Sequence, residues 1–170
     1  MSLEAFNKRV LPSKNKLYRF ALRLLGSEEE AKDIVQETMI KVWNKRDEIH
    51  NYLNMEAWCM RVVRNLSFDL LKSKHKKTIG FTEGFEVKAE IDTPYRVAEI
   101  SNTMETVHHL IESLPDKQKL AIQLRDIEGY SYKEIADILE IDVNNVKINL
   151  FRGRKSVRER LVNINAYGVR

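Results

Sequence analysis

Cysteine is almost absent from this chain, with Cys59 the single one among 170 residues. One cysteine cannot form an internal disulfide, and it cannot build a zinc site from several thiolates. Long hydrophobic runs are missing too: no stretch approaches the ~18 apolar residues that a membrane span needs, and the first twelve residues lack the apolar core of a signal peptide. We therefore expect a cytoplasmic protein.

Helix-breaking residues are scarce, with three prolines and six glycines. Apolar residues recur at spacings of three and four along most of the chain, which predicts an all-α protein. The periodicity fails between residues 78 and 103, where two glycines, a proline and scattered acids occur. We interpret residues 78–103 as a flexible linker between two small helical domains, residues 1–77 and 104–170.

Signatures of catalysis are missing as well. The phosphate-binding glycine loop, the nucleophile elbow and the zinc-protease motif do not occur, and no acid–base pair stands out. His108 and His109 are adjacent, so on a helix they point about 100° apart and cannot share one metal ion. We therefore expect no enzyme activity, no metal and no cofactor.

What the sequence does contain is a helix-turn-helix pattern in residues 131–161. Ser131 and Glu134 form an S-x-x-E capping box at the start of its first helix. The apolar periodicity breaks at residues 140–142, where Asp142 can cap the second helix. Val146, Leu150 and Gly153 then begin a stripe that must face a core.

The opposite face of this second helix is mostly cationic. It carries Ile148 and Phe151 among the polar and basic residues Asn144, Lys147, Arg152, Arg154, Lys155 and Arg158. Cations suit phosphates, and apolar side chains can contact a thymine methyl. A lone basic helix is more often simply solvated. The capped helix-turn-helix and the two apolar residues favour DNA binding here.

A second surface is predicted on the helix that Ser27 caps and that runs to about Lys45. Its exposed side carries four residues at spacings i, i+3, i+4 and i+7, namely Asp33, Gln36, Glu37 and Ile40. An isoleucine among acids suggests a docking surface for a basic, partly apolar partner. Periodicity alone equally allows Ile40 to pack against another helix.

A third surface is predicted on a helix from about residue 55 to 74, after a connecting loop at residues 46–55. Cations, an amide and an aromatic ring share one side of it: Arg61, Arg64, Asn65, Phe68 and Lys72. This combination binds single-stranded nucleic acid, because cations track the backbone while rings stack on bases. Phe68 could equally be a core residue.

Three segments resemble one family, the bacterial RNA polymerase sigma factors. DIVQETMIKVW, residues 33–43, resembles their polymerase-binding helix, and AWCMRVVRNLSFDLLKSKHKK, residues 57–77, resembles their promoter-melting helix. Residues 113–161 are similar to their domain that reads the −35 element. With only these two domains and a short linker, the chain resembles the extracytoplasmic-function (ECF) subfamily.

The resemblance implies partners for each surface. Asp33, Gln36, Glu37 and Ile40 would contact the clamp helices of the largest subunit of core RNA polymerase, and the polymerase flap would be a further contact of the protein. Arg61, Arg64, Asn65, Phe68 and Lys72 would bind the −10 element, where Asn65 and the loop at about residues 47–53 hold a flipped base. Residues facing −35 promoter DNA would be Arg125, Asn144, Asn145, Lys147, Ile148, Phe151, Arg152 and Lys155. An anti-sigma factor that masks these surfaces is also implied.

Departures from the family pattern occur at three positions of the helix-turn-helix. Glu140 stands where glycine is common, Ile148 where a small polar residue is common, and Asn149 where a basic residue is common. Two other classes of function stay open on the residues alone. One is a stand-alone regulator that binds duplex DNA and uses its N-terminal helices for sensing or dimerisation, and the other is a helical adaptor without nucleic acid.

Overall fold

The computed structural model describes residues 1–49, 54–79 and 103–167, and all regular structure in these ranges is helical. The prediction of an all-α protein is therefore confirmed. The chain divides into two compact units. Of the described residues, 1–49, 54–79 and 137–140 belong to the N-terminal unit, and 103–136 and 141–167 belong to the C-terminal unit. None of the helices in the described ranges is long and apolar enough to cross a membrane.

Helices α2, α3 and α5 build the core of the N-terminal unit. The elements in order are α1 (Leu3–Arg9), a 3-10 turn (Leu11–Ser13), α2 (Lys14–Leu25), α3 (Glu28–Asn44), α4 (Arg46–Ile49) and α5 (Met55–Ile79). The core side chains come from all three long helices and include Leu17, Phe20, Val35, Val42, Met60 and Val63. Their burial removes apolar surface from water, which is the main force that holds the helices together.

The junction between α2 and α3 follows its sequence signals. Gly26 ends α2 in the left-handed region, with φ at 67°, and its N–H donates to the Leu22 carbonyl at 2.8 Å. Ser27 then caps α3, because its hydroxyl accepts from the Glu30 N–H at 3.4 Å. Three glutamates fill the first turn of α3, where negative charge complements the helix dipole.

Two details of the N-terminal unit differ from the sequence analysis. Helix α1, which was not predicted, buries Phe6 edge-to-face against Trp43, with ring centroids 5.4 Å apart. The predicted loop at residues 46–55 is wrong at its start, because residues 46–49 form α4 and bury Ile49. Residues 50–53 of that loop lie outside the described residues.

The C-terminal unit begins with α6 (Thr103–Glu112), α7 (Asp116–Ile122) and a π-helix (Gln123–Ile127). Helix α8 (Tyr132–Leu139), whose last three residues are grouped with the N-terminal unit, and helix α9 (Val143–Tyr167) follow, and the turn between them completes the predicted helix-turn-helix. Leu110, Leu124, Ile135 and Leu150 are buried in this unit. Residues 80–102 of the predicted linker lie outside the described residues, so the linker and the domain limits stay predictions. The structure continues α5 through Ile79 and begins α6 at Thr103.

Candidate nucleic-acid interface

The predicted capping box opens the helix-turn-helix. The Ser131 N–H donates to the Glu134 carboxylate at 2.7 Å, and the Glu134 N–H donates to the Ser131 hydroxyl at 3.3 Å. These reciprocal bonds satisfy two backbone donors that the helix itself leaves without partners. The start of α8 is therefore determined by local sequence.

The turn between α8 and α9 relies on Glu140 and Asp142. Glu140 has φ at 55°, in the left-handed region, where a side chain costs roughly 1–2 kcal/mol. The Ile141 N–H closes the turn on the Ala136 carbonyl at 3.1 Å. Asp142 caps α9 by accepting from the Asn145 N–H at 2.8 Å. Glu140 thus adopts the backbone angle that the family pattern usually assigns to glycine.

Helix α9 presents two different faces. Val146, Leu150 and Gly153 are buried, as the predicted stripe requires. Ile148 and Phe151 lie on the other face with 44% and 69% of their surface exposed. The polar residues predicted to face DNA are exposed as well: Asn144, Asn145, Lys147, Arg152 and Lys155. One accessible face of α9 therefore carries seven of the eight residues assigned to the −35 element.

The eighth residue, Arg125, lies on the π-helix and not on α9. Its guanidinium donates to the Tyr130 carbonyl at 2.7 Å and stands 4.8 Å from the centre of the Tyr132 ring. Arg125 is thus held against the start of α8 by a hydrogen bond and a cation–π contact. Periodicity could not reveal this contact, and a role for Arg125 at the −35 element stays a prediction.

Asn145 also has a local partner. Its side-chain amide donates to Oδ2 of Asp142 at 2.5 Å, while its backbone N–H donates to Oδ1 of the same carboxylate. The side-chain amide of Asn149 donates to the Asn145 carbonyl at 2.8 Å. Both asparagines therefore stabilise the first turns of α9, whatever further contacts they make.

Arg154 was placed on the cationic face by the sequence, yet it forms a bidentate ion pair with Asp126 of the π-helix. Its Nε donates to Oδ2 at 3.0 Å and its Nη2 donates to Oδ1 at 2.6 Å. The hydrogen bond to Asp126 raises the pKa of Arg154 above its already high ordinary value. Helical periodicity could not predict this pair, because its members lie 28 residues apart in the chain.

Helix α3 presents the predicted acidic face. Asp33, Gln36 and Glu37 are exposed, and Ile40 has 59% of its surface exposed. The alternative, in which Ile40 packs against another helix, is therefore wrong for the part of the chain that is described. Glu37 pairs with Lys41 at 3.1 Å, one turn further along. The face is a mixed surface of acids, an amide and one accessible aliphatic side chain.

Helix α5 brings three of its predicted DNA-binding residues into contact. The Arg64 guanidinium donates to the Asn65 side-chain oxygen at 2.9 Å and lies 5.1 Å from the centre of the Phe68 ring. Phe68 is half-buried, so it is neither a full core residue nor a fully exposed one. Asn65 and Lys72 are exposed, and Arg61 is half-buried. This face joins a cation, an amide and an aromatic ring.

The loop that the resemblance assigns to the −10 element is described only in part. Residues 47–49 belong to α4, and residues 50–53 lie outside the described residues. Among the side chains that the structure does describe, no group of three or more His, Cys, Asp or Glu residues could hold a metal ion.

Two family models match the chain. The model for Sigma-70 region 2 matches residues 10–77, and the model for Sigma-70 region 4 matches residues 104–157. The first match covers α2, α3 and most of α5. The second covers the described C-terminal helices as far as Val157 in α9.

Curated relatives are similar over most of this chain. The chain is 31% identical to the ECF RNA polymerase sigma factor SigW of Bacillus subtilis, over 93% of this chain and 89% of that protein. It is 28% identical to the ECF RNA polymerase sigma-E factor of Escherichia coli, over 91% of this chain and 85% of that protein. It is 29% identical to SigE of Mycolicibacterium smegmatis, over 94% of this chain, and it spans 63% of that protein.

Solved structures share the fold. The sigma factor RpoE of Bartonella quintana, in complex with the anti-sigma factor NepR, superposes with a TM-score of 0.73 at 23% identity, over 95% of this chain and 98% of that chain. CnrH, in complex with the cytosolic domain of CnrY, gives a TM-score of 0.66 at 21% identity, over 95% of this chain and 90% of that chain. These likenesses show the fold. The relatives, together with the two family models, show that the chain belongs to the ECF RNA polymerase sigma factors, the alternative sigma subunits that direct RNA polymerase to promoters.

Proposed function

We propose that this sigma factor binds core RNA polymerase through the exposed face of α3 and contacts promoter DNA through two further surfaces, one on α5 and one on α9. The observation that carries the proposal is the exposed face of α9. There Ile148 and Phe151 remain accessible among amides and cations. Large exposed apolar side chains within a charged face are typical of a recognition surface.

Helix α9 is proposed to enter the major groove at the −35 element. In a helix-turn-helix the N-terminal residues of the second helix reach the base edges, and Asn144, Lys147 and Ile148 occupy that end of α9. Lys147 can donate to acceptors of guanine or to phosphate, and Ile148 and Phe151 can contact thymine methyls. Arg152 and Lys155 lie further along the same face and suit the DNA backbone.

Helix α5 is proposed to hold the melted −10 strand. The contacts of Arg64 with Asn65 and Phe68 join a phosphate-binding group, an amide that can read a base edge and a ring that can stack. Arg61 and Lys72 extend the cationic track along the helix. Capturing an unstacked base costs a few kcal/mol, so melting must draw on the energy of polymerase binding as well.

The face of α3 is proposed to dock on the clamp helices of the largest polymerase subunit. Its acids complement a basic partner, and the exposed Ile40 provides the apolar contact that strengthens such an interface. The C-terminal unit would contact the polymerase flap. The sigma factor would then act in the cytoplasm as a specificity subunit, with no catalytic chemistry of its own.

An anti-sigma factor is the proposed regulator of these surfaces. The Bartonella quintana relative is in complex with the anti-sigma factor NepR, and CnrH is in complex with the cytosolic domain of CnrY. We extend this mode of regulation to the present chain. An anti-sigma factor would bind the exposed apolar residues on α3 and α9 and so keep them from polymerase and DNA while the sigma factor is inactive.

The test is transcription of a genomic fragment library by core polymerase with and without this protein. We expect start sites that depend on the protein and share two upstream elements. Absence of protein-dependent start sites would overturn the proposal. Binding of the free protein to promoter duplex tests the two alternative functions. A stand-alone regulator would bind a specific duplex tightly, whereas a helical adaptor would have no salt-dependent affinity for DNA.

A further inference from the structure

The π-helix at residues 123–127 lies directly before the helix-turn-helix and contacts both of its helices through two adjacent charged residues. Arg125 donates to the Tyr130 carbonyl at 2.7 Å and packs on the Tyr132 ring, at the start of α8. Asp126 pairs with Arg154 of α9. Short π-helical turns inside helices occur frequently at functional sites. This one sends neighbouring charges to different helices.

The Asp126–Arg154 pair has a geometry that can orient a helix. Two parallel hydrogen bonds, of 3.0 Å and 2.6 Å, join the guanidinium edge to both carboxylate oxygens. Such a bidentate arrangement fixes the direction of both side chains, which a lysine in place of the arginine could not do. Both side chains are partly exposed, at 38% and 43%, so the pair contributes more to orientation than to overall stability.

Gly153 adds a second restraint beside the ion pair. A Cβ built on Gly153 would lie 2.8 Å from Cδ1 of Ile122 and 3.3 Å from Cβ of Gln118, both on α7. The backbone of α9 therefore approaches α7 closely at the residue before Arg154. A steric contact at residue 153 and a directional ion pair at residue 154 together restrain the rotation of α9 about its own axis.

We propose that Asp126 is a positioning residue for −35 recognition: through its bidentate pair with Arg154 it sets the rotation of α9 and thereby the direction in which Ile148 and Phe151 meet the DNA. This inference rests on the proposed function of α9. It also removes Arg154 from the cations that contact phosphate, although the sequence places it on the cationic face. Asp126 itself touches no DNA in this scheme.

The test uses the full chain with core polymerase on a promoter and on a panel of −35 variants. We expect Asp126→Asn to lower −35-dependent transcription roughly threefold to fivefold, in keeping with a partly exposed ion pair. The ranking of the −35 variants should change too, because a rotated helix presents its side chains differently. Arg154→Lys should behave like Arg154→Ala, since a lysine keeps the charge but loses the two parallel bonds.

Two further measurements separate positioning from direct contact. The double variant of Asp126→Asn with Arg154→Ala should lose no more than either single variant, because residues that act through one another are not additive. The salt dependence of promoter binding should not weaken in Asp126→Asn. Glu105→Gln, which neutralises an exposed carboxylate of the same unit, serves as the matched control and should leave the promoter ranking unchanged.

Several outcomes would overturn the inference. They are additive losses in the double variant, full −35 use by Arg154→Lys, or a salt slope that falls by about one on removal of Arg154, which marks a phosphate contact. Unchanged −35 use by Asp126→Asn would also overturn it while leaving the function of α9 intact. If transcription with the wild-type protein were the same on every −35 variant, the proposed function of α9 would be overturned instead.

Discussion

Gly153 of α9 lies against Ile122 of α7, so close that a Cβ on the glycine would be 2.8 Å from Cδ1 of the isoleucine. Ile122 is 3% exposed and belongs to the core of the C-terminal unit. Gly153 is therefore not a weak point in a helix. Its lack of a side chain permits the close approach of α9 to α7, and the ion pair between Arg154 and Asp126 follows at the next residue.

Replacing Gly153 by valine should destabilise the protein. The added side chain overpacks the contact with Ile122 and Gln118, which costs about 1–3 kcal/mol. Urea unfolding measures the change in the free energy of unfolding. Asn163→Val introduces the same β-branched residue at an exposed position of α9 and is the matched control. Equal stability of the two variants would contradict the close approach.

Reversing the charge of Glu37 should abolish association with core polymerase. The variant Glu37→Lys removes an acid from the α3 face and places a second cation beside Lys41, which repels a basic partner. Co-purification with core polymerase measures the effect, and circular dichroism checks that the helices remain. Glu105→Lys, an equal reversal at an exposed position of α6, should co-purify normally. Unchanged co-purification of Glu37→Lys would refute the role of Glu37.

Truncating Lys147 should weaken use of the −35 element. Lys147 is exposed on the side of α9 that is proposed to face DNA, and the loss of its ammonium group should cost about 1–3 kcal/mol if that group reads a base. Footprinting on single-base −35 variants locates the loss: a base contact gives a loss at one position, and a phosphate contact gives a uniform loss. Lys117→Ala, on α7, is the control. Wild-type footprints from Lys147→Ala would exclude Lys147 from the interface.

Contact between Phe151 of α9 and a thymine methyl group can be tested by removing that methyl group from the DNA. Replacing a −35 thymine by deoxyuridine removes one methyl group, and the loss of its contact with Phe151 should cost about 0.8 kcal/mol. Binding of the holoenzyme to the two duplexes measures the difference. With Phe151→Ala the two duplexes should bind alike. Equal sensitivity of the wild-type and Phe151→Ala proteins at every thymine would show that Phe151 contacts no methyl group.

Because of the Cys59 thiol, the free energy of unfolding of the protein should fall at alkaline pH. Burial raises the pKa of its thiol from an ordinary 9.0 to about 12, and the Glu56 carboxylate adds to the rise. Above pH 9 the unfolded chain releases the thiol proton while the folded chain retains it. The buried, protonated thiol therefore makes its full contribution to the stability of the folded protein below pH 9, and this contribution is lost between pH 9 and about 12.

The size of that effect is about 1.4 kcal/mol per pH unit, and it is isolated by comparison with Cys59→Ala. Urea unfolding of both proteins from pH 7 to pH 10.5 provides the measurement. The difference between their free energies of unfolding should be constant up to pH 9 and then change in favour of the alanine variant. Parallel pH profiles would show that the thiol ionises equally well in the folded state.

The family could be recognised from contiguous segments of the sequence, and several helix ends could be predicted because capping depends on residues that are close together in the chain. Gly26 and Ser27 define one helix boundary, and Ser131 with Glu134 defines another, since a cap needs only side chains a few residues from the backbone groups they satisfy. Which residues share one face of α3 and of α9 followed from helical spacing, which is also a local property of the sequence. Helix α4 was missed because a four-residue helix has too short a pattern to detect.

Partners that lie far apart in sequence were decided by the tertiary structure. The sequence by itself determined that Ile40, Phe68 and Arg154 sit on particular sides of their helices. Only packing decided that Ile40 is exposed, that Phe68 is half-buried beneath Arg64, and that Arg154 pairs with Asp126. Helical periodicity specifies the direction of a side chain but not what stands opposite it, because that depends on the path of the whole chain.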